Sequence, residues 1–471
     1  MDMSVILIFS MFAVLVGLLM TGFPVAFTLG GVGLLFGLIG NALGVLDISF
    51  LEILPNRLFG SVIRNELLFA VPLFVAMGVV LEKSNVAEDL LESMGKLFGS
   101  LPGGLGISVT IVGALLAAST GIVGATVVTM GLLALPTMMR RGYDVSLATG
   151  SIAAAGTLGQ IIPPSIVLIL LADVMSSSWQ QAQLNSGSFS PVPMSAGELF
   201  AGALIPGLAL VTLYILYQIL IAFLKPESSP AIPREEGEKL DRKFYGKLLL
   251  ALTPPLALII AVLGSILSGI ATPTEAAAVG AVGAILLGTA RISTKNRYYV
   301  FITIGMLIIL LTLSNFADLR LNRAIVPFGD QLAYYAAVFC TFIFVLGLAK
   351  ALWATHKIGV LSEAMRSTLQ ITTMIYAILI GASLFSLIFR GFGGDDIIAD
   401  MLHGLPGGQF TAILLVMLLM FVLGFLLDFI EITFVVVPVV APALLAMEGS
   451  YGPIWLGVMM AMNLQTSFLT P

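Results

Sequence analysis

The sequence predicts an all-α integral membrane protein whose two halves are inverted copies of one plan. Three observations carry that prediction: a composition too apolar for water, long unbroken hydrophobic runs, and motifs that recur with opposite charge orientation. Of 471 residues, 59% are hydrophobic and 10% charged, with mean hydropathy +1.09, whereas a soluble domain carries about 25% charged residues. The stretch "LLLALTPPLALIIAVLGSIL" (Leu248–Leu267) is continuous rather than alternating. That fits a spanning helix of about 20 residues and not a barrel strand of about 10. One cysteine, Cys340, and two histidines, His356 and His403, exclude an internal disulfide, a cysteine cluster and an HExxH motif. No basic patch of the nucleic-acid type is present, so no nucleic-acid partner is expected.

The N-terminus "MDMSVILIFSMFAVLVGLLM" is apolar from Ser4 and lacks a basic leader and a small-residue cleavage site. It reads as a first span rather than a removed signal peptide. Apolar segments follow near 24–40, 65–82, 107–139, 145–175, 199–224, 246–268, 275–290, 298–315, 333–350, 368–390, 410–447 and 454–470. Ile48–Arg64 and Val86–Phe98 are amphipathic and read as helices along the membrane surface, the first equally as a connecting loop.

Charge orients these segments. Lys225, Arg234, Lys239, Arg242, Lys243 and Lys247 crowd one loop, Arg291, Lys295 and Arg297 a second, and Lys350, His356, Lys357 and Arg366 a third. The positive-inside rule places all three in the cytoplasm. Asp173–Gly197 holds no Lys or Arg and reads as an outer loop, and neither residue occurs after Arg390.

The motif LPGG stands at Leu101–Gly104 and again at Leu405–Gly408 (405 − 101 = 304). The first copy opens a segment with cytoplasmic charge at both ends, from Lys83 and Lys96 to Arg140 and Arg141. The second opens a segment with no positive charge at either end. Pro136 and Pro442 (442 − 136 = 306), Pro164 and Pro471 (471 − 164 = 307), and Pro24 and Pro273 (273 − 24 = 249) are further anchors. The offset grows by 304 − 249 = 55, the size of an extra helical pair, and an unmatched pair lies at 297–350. Inverted repeats are the architecture of secondary transporters, with sites near the bilayer midplane where the repeats meet.

Two motifs carry chemistry. In "AASTGIVGATVVTM" (Ala117–Met130), Gly121 and Gly124 permit a reversal inside the membrane, and Ser119, Thr120 and Thr126 offer hydroxyl oxygens there. One long kinked helix with back-bonded hydroxyls is the plainer alternative. In "GTLGQIIPPSI" (Gly156–Ile166), two prolines remove backbone donors and free carbonyls that suit a dehydrated sodium ion. The half-helix beyond starts at Ser165 and offers its N-terminus to an anion. A proline kink satisfied by neighbouring helices is the structural alternative. "NLQTSFLTP" (Asn463–Pro471) repeats the second motif. In "GFLLDFIEITF", Asp428 and Glu431 sit where the outer hairpin should reverse, facing an ion or the protein interior, or else capping a helix or pairing with Arg390. Glu275 behind Pro273 reads as a first-turn structural acid.

"GFPVAFTLG", "AVPLFVAMG", "LPGGLG", "GTLGQIIPPSI", "ATPTEAAAVG", "GFLLDFIEI" and "NLQTSFLTP" together resemble the large membrane subunit of TRAP (tripartite ATP-independent periplasmic) transporters, over nearly the whole chain. The resemblance implies an elevator-type, sodium-driven inner-membrane carrier, similar to the ion transporter superfamily, with two re-entrant hairpins and two broken helices. It implies a periplasmic substrate-binding protein and a small four-helix membrane subunit as partners, an organic acid as substrate, surrounding membrane lipid, and sodium as coupling ion without a cofactor or enzymatic activity. By the resemblance, a first sodium site draws on Ser119, Thr120, Gly121, Gly156, Thr157, Gly159 and Pro163. A second draws on Asp428, Asn463, Thr466, Ser467 and Thr470. Thr126, Gln160, Ser165 and Gln465 are the candidate substrate contacts.

The chain then divides into scaffold helices and a surface arm over 1–100, the inner hairpin and first broken helix over 101–175, further scaffold with the extra pair over 176–400, and the outer hairpin with half of the second broken helix over 401–471. The extra pair and the long outer loop Asp173–Gly197 depart from the compact family pattern. The first repeat runs past its break to Leu224 while the second stops on Pro471, so the repeat predicts a longer natural protein with about 50–60 further residues. The alternatives are a stand-alone sodium and divalent-anion symporter, a passive channel, and an intramembrane protease. "GFGGDD" (Gly391–Asp396) lacks the spacing and the second aspartate motif that the protease needs.

Overall fold

Prolines and short polar caps cut the apolar chain into helices. In the computed structural model, residues 3–84, 86–121, 123–231, 241–292, 297–320, 322, 327–447, 449 and 451–465 are described, and regular structure among them is entirely helical. The first half contains α1 (Met3–Met20), α2 (Val25–Ala42), α3 (Leu54–Leu58), α4 (Ala70–Lys83), α5 (Val86–Phe98), α6 (Gly104–Thr120), α7 (Val123–Arg140), α8 (Val145–Thr157), α9 (Ile166–Asn185), α10 (Ala196–Leu224) and α11 (Arg242–Leu267). The second contains α12 (Pro273–Ile292), α13 (Arg297–Phe316), α14 (Phe328–Lys357), α15 (Val360–Gly391), α16 (Gly394–His403), α17 (Gly408–Leu423), α18 (Phe429–Val435), α19 (Val437–Ala446) and α20 (Pro453–Leu464). Among the described residues, eight helices are long and apolar enough to cross a membrane, or up to ten if each of two bent pairs counts as one span.

Local signals account for the breaks. Asp144 caps α8 by accepting from the Leu147 amide at 3.0 Å. Ser195 and Glu198 form a reciprocal capping box at α10, satisfying amides that a helix start leaves open. Glu275 takes the structural role expected of it: it accepts from the Thr272 amide at 2.8 Å, while its own amide donates to Thr272 Oγ1 at 3.3 Å. The segment 48–63 is helical rather than loop, passing from a 3₁₀ stretch (Ile48–Ile53) through α3 to a π-turn (Phe59–Ile63). It meets the helix that follows at 48°.

The two halves exchange partners. α2 of the first lies along α15 of the second, and α12 of the second lies along α4 of the first. Glycines set the first contact. A Cβ on Gly33 would stand 3.0 Å from the Phe385 amide nitrogen, and one on Gly30 would stand 3.7 Å from Gly381 Cα. The second contact uses Gly280, where a Cβ would stand 2.6 Å from Met77 Sδ. Between apolar helices in lipid, close backbone approach over small residues supplies the dispersion that water-driven burial cannot. Ion pairs Lys83–Glu363 (2.8 Å) and Arg291–Asp89 (2.6 Å) also join the halves. α13 and α14 form the extra pair, packed on α12 and α15, and largely unburied.

One reading changes. The helix after the break does not stop near Met175, nor is all of Asp173–Gly197 loop, because α9 continues to Asn185. The run "SSSWQQAQLN" supplies Gln, Ala and Leu, which sustain a helix outside the apolar core. α10 lies in the span 176–400 assigned to the scaffold, yet it packs on α6, α9 and α20. Gly207 abuts Ile161 and Ile162, and Gly202 abuts Ile454.

Candidate functional site

α6 and α7 form a hairpin because both ends are tied to one short loop. The Gly103 amide donates to the Ser229 carbonyl and the Asp144 amide to the Ser228 carbonyl, each at 3.0 Å, and the Leu105 amide donates to Tyr143 Oη at 3.2 Å. The tip lies at Gly121, left-handed at φ 63°, whose amide closes α6 by donating to the Ala117 carbonyl at 2.9 Å. Glycine takes that conformation without a Cβ clash. α6 has 17 residues, about 25 Å of rise, short of the roughly 30 Å apolar core. α17 and α18–α19 make the second hairpin: the turn at Gly449 returns to Gln409, and α18 and α19 are bent by 54°.

The broken helix inserts between the arms of the first hairpin. α8 ends at Thr157, a 3₁₀ turn covers Leu158–Gln160, and α9 begins after Ser165. A Cβ on Gly159 would stand 3.1 Å from the Ala117 carbonyl oxygen, and one on Gly156 would overlap Val127. One on Gly121 would stand 3.7 Å from the Pro164 carbonyl oxygen and 3.5 Å from the Ile166 nitrogen. Gly121, Gly156 and Gly159, predicted from sequence to share a site, thus line one seam. Pro163 is buried beside it.

Ser119 is buried and donates to the Leu115 and Leu116 carbonyls at 2.8 and 3.0 Å. Thr157 donates to the Ala154 carbonyl at 2.9 Å. Each hydroxyl proton is committed to its own helix, leaving oxygen lone pairs, which suit a cation. Ser165 caps α9, accepting from the Leu168 amide at 3.4 Å and donating to the Gln160 carbonyl at 2.7 Å. Thr126 is buried on α7. Gln160 is fully buried, and neither its Oε1 nor its Nε2 has a hydrogen-bond partner. Since the great majority of buried polar atoms are paired, Gln160 is a candidate for contact with a bound solute.

On the second half, Asp428 is the N-cap of α18. It accepts from the Phe429 amide at 2.7 Å while its own amide donates to Glu431 Oε2 at 3.2 Å. Arg390 pairs instead with Asp395, at 3.1 Å. Asn463 ties α20 to α17 through the Met417 carbonyl, at 2.6 Å. Gln465 is buried with Nε2 unpaired. Thr466, Ser467 and Thr470, and the side chain of Thr120, lie outside the described residues. Thr433, buried on α18 with an unpaired hydroxyl, was not singled out from sequence; its only signal was its place inside "GFLLDFIEITF". Among the described residues no group of three His, Cys, Asp or Glu gathers to hold a metal. A cation at the seam would therefore meet carbonyl, hydroxyl and amide oxygens, and the oxygens present fit a small hard cation.

Among the described residues, two hairpins, one broken helix and orphaned polar groups in an all-helical chain describe a polytopic membrane protein. The family model described as "Tripartite ATP-independent periplasmic transporter, DctM component" matches residues 12–313 and 298–471. The chain belongs to that family and is a multi-pass inner-membrane protein, a transport permease rather than an enzyme. It is similar to the C4-dicarboxylate TRAP transporter large permease protein DctM of Vibrio cholerae, with 26% identity over 98% of this chain and 86% of that one. It is similar to the sialic acid TRAP transporter large permease protein SiaM of the same organism, with 24% identity over 97% and 84%. It is also similar to the ectoine TRAP transporter large permease protein TeaC of Halomonas elongata, with 29% identity over 59% and 58%.

Proposed function

We propose that this chain is the sodium-coupled large permease of a binding-protein-dependent system that imports an organic acid by an elevator movement. The observation that carries the proposal is the seam where Gly121 of the first hairpin meets Pro164–Ile166 of the broken helix, beside the orphaned Gln160. Short arms and interrupted helices survive at membrane depth only where buried in protein or lining a cavity. The first sodium site comprises the oxygens around Ser119–Gly121, Gly156–Gly159 and Pro163. The second comprises Asp428, Asn463 and the stretch from Thr466 to Thr470. Gln160, Ser165, Thr126 and Gln465 face the substrate between them.

The moving body comprises both hairpins and both broken helices. It carries α10 with it, because α10 packs on α6, α9 and α20. A small membrane subunit steadies the scaffold and a periplasmic binding protein delivers the solute. Dicarboxylate and sialic acid in the names of the relatives support a carboxylate; ectoine in another name leaves the particular acid to experiment.

The test is uptake into liposomes by the chain reconstituted with both partners, with sodium replaced by choline or potassium. Uptake should fall to background without sodium. Undiminished uptake would overturn sodium coupling, and equal uptake without the binding protein would overturn dependence on it.

A further inference from the structure

A cavity of about 280 Å³ with mixed walls lies between the 48–63 arm and α15 on one side and α9, α18 and α19 on the other. Its volume equals about nine waters at roughly 30 Å³ each, room for a small organic acid. Arg57, Arg390, Ser178, Gln181, Ser383 and Ser386 are among its walls. Arg57 reaches the cavity from α3, just before the π-turn, and donates from Nη2 to Ser386 Oγ at 3.0 Å. Ser386 is itself buried. Among the described residues Arg57 has no carboxylate within ion-pair distance, whereas Arg390 is paired with Asp395. The carboxylate in the wall, Asp173, accepts from Asn65 Nδ2 at 2.7 Å, a neutral donor. The cavity therefore presents, beside several hydroxyls, a guanidinium that donates to Ser386 and feels Asp395 only from beyond ion-pair distance. Its planar donors match a carboxylate at two points.

Position gives the cavity a role. α15 starts near Lys357 and Arg366, on the cytoplasmic side by charge, and Arg390 is at its other end. α9 runs from the break toward the residues 173–197, which carry no basic residue. The cavity thus belongs to the outer face, where the fixed arm meets the hairpin module.

We propose that this cavity is an outer carboxylate-recognition station, in which Arg57, seconded by Ser386, takes the substrate's carboxylate before the substrate reaches the hairpin tips. The proposal rests on the reading above that the solute is an organic acid delivered from outside.

The test is phenylglyoxal labelling of the full chain in nanodiscs, with the Arg57 peptide followed by mass spectrometry and the exposed Arg140 as internal control. Acetate, succinate and N-acetylneuraminate are the probes, with succinamide and sodium chloride at matched ionic strength as controls. Protection follows 1 + [L]/Kd, so at twice the Kd at least one carboxylate should slow labelling of Arg57 about threefold and leave Arg140 unchanged. If no carboxylate protects more than chloride, or if succinamide protects as well as succinate, the inference is overturned. Repeating the assay in choline separates the two readings. Protection that persists alongside sodium-independent uptake keeps the station and removes the coupling. Sodium-dependent uptake with no protection does the reverse.

Discussion

Gly121, at the tip of the first hairpin, faces the carbonyl of Pro164 in the broken helix; a Cβ on Gly121 would stand 3.7 Å from that oxygen. The space would admit a methyl group, but the left-handed φ of 63° would not favour it. Gly121→Ala should therefore cost about 1–2 kcal/mol through backbone strain. It should also raise the sodium concentration for half-maximal uptake. A sodium titration of uptake beside a detergent melting curve checks it; an unchanged sodium dependence would detach the tip from the ion.

Gln160 separates a structural from a functional origin of the buried polar groups. Leaving a buried polar group unpaired costs about 1–3 kcal/mol, so Gln160→Leu should hold or raise the melting temperature. The same variant should abolish uptake. Loss of fold, or retained uptake, would show that the side chain only fills space.

Asp428 caps α18, and Asn caps as well as Asp does. Asp428→Asn should keep the melting temperature, and Asp428→Ala should lose about 1 kcal/mol. Both should weaken sodium activation. If the Asn variant is activated by sodium as the parent is, the residue serves only as a cap.

The α2–α15 seam admits a direct packing test. Gly33→Ala places a Cβ 3.0 Å from the Phe385 amide nitrogen, whereas the Cβ of Gly31→Ala meets nothing within 4 Å. The first should destabilise by about 1–3 kcal/mol and the second by little. Equal melting temperatures for the two variants would mean that the halves are not joined at this contact.

Motion can be tested where α4 touches α7. Thr129 Oγ1 donates to Glu82 Oε1 at 2.9 Å, across the line between the scaffold helix α4 and the hairpin. Glu82→Cys with Thr129→Cys, in a Cys340→Ser background, should arrest uptake when crosslinked and recover on reduction. Uptake that survives complete crosslinking would mean these elements do not slide past each other.

The sequence by itself determined the membrane class and the helical form. Both rest on local quantities: long apolar runs and the scarcity of charge within them. It also placed Gly121, Gly156, Gly159 and Asp428 at reversals or breaks, because glycine and helix-capping chemistry act within a few residues. Tertiary structure alone decided what those positions touch. The seam of Gly121 with Pro164, the partner exchange of α2 with α15 and α12 with α4, and the packing of α10 on the hairpin module join residues far apart in the chain. No periodicity records such contacts. The same holds for the cavity at Arg57: its charge was visible in the sequence. Its meaning depended on Ser386, 329 positions away, and on the engagement of the nearby carboxylates Asp173 and Asp395 by other groups, a three-dimensional matter.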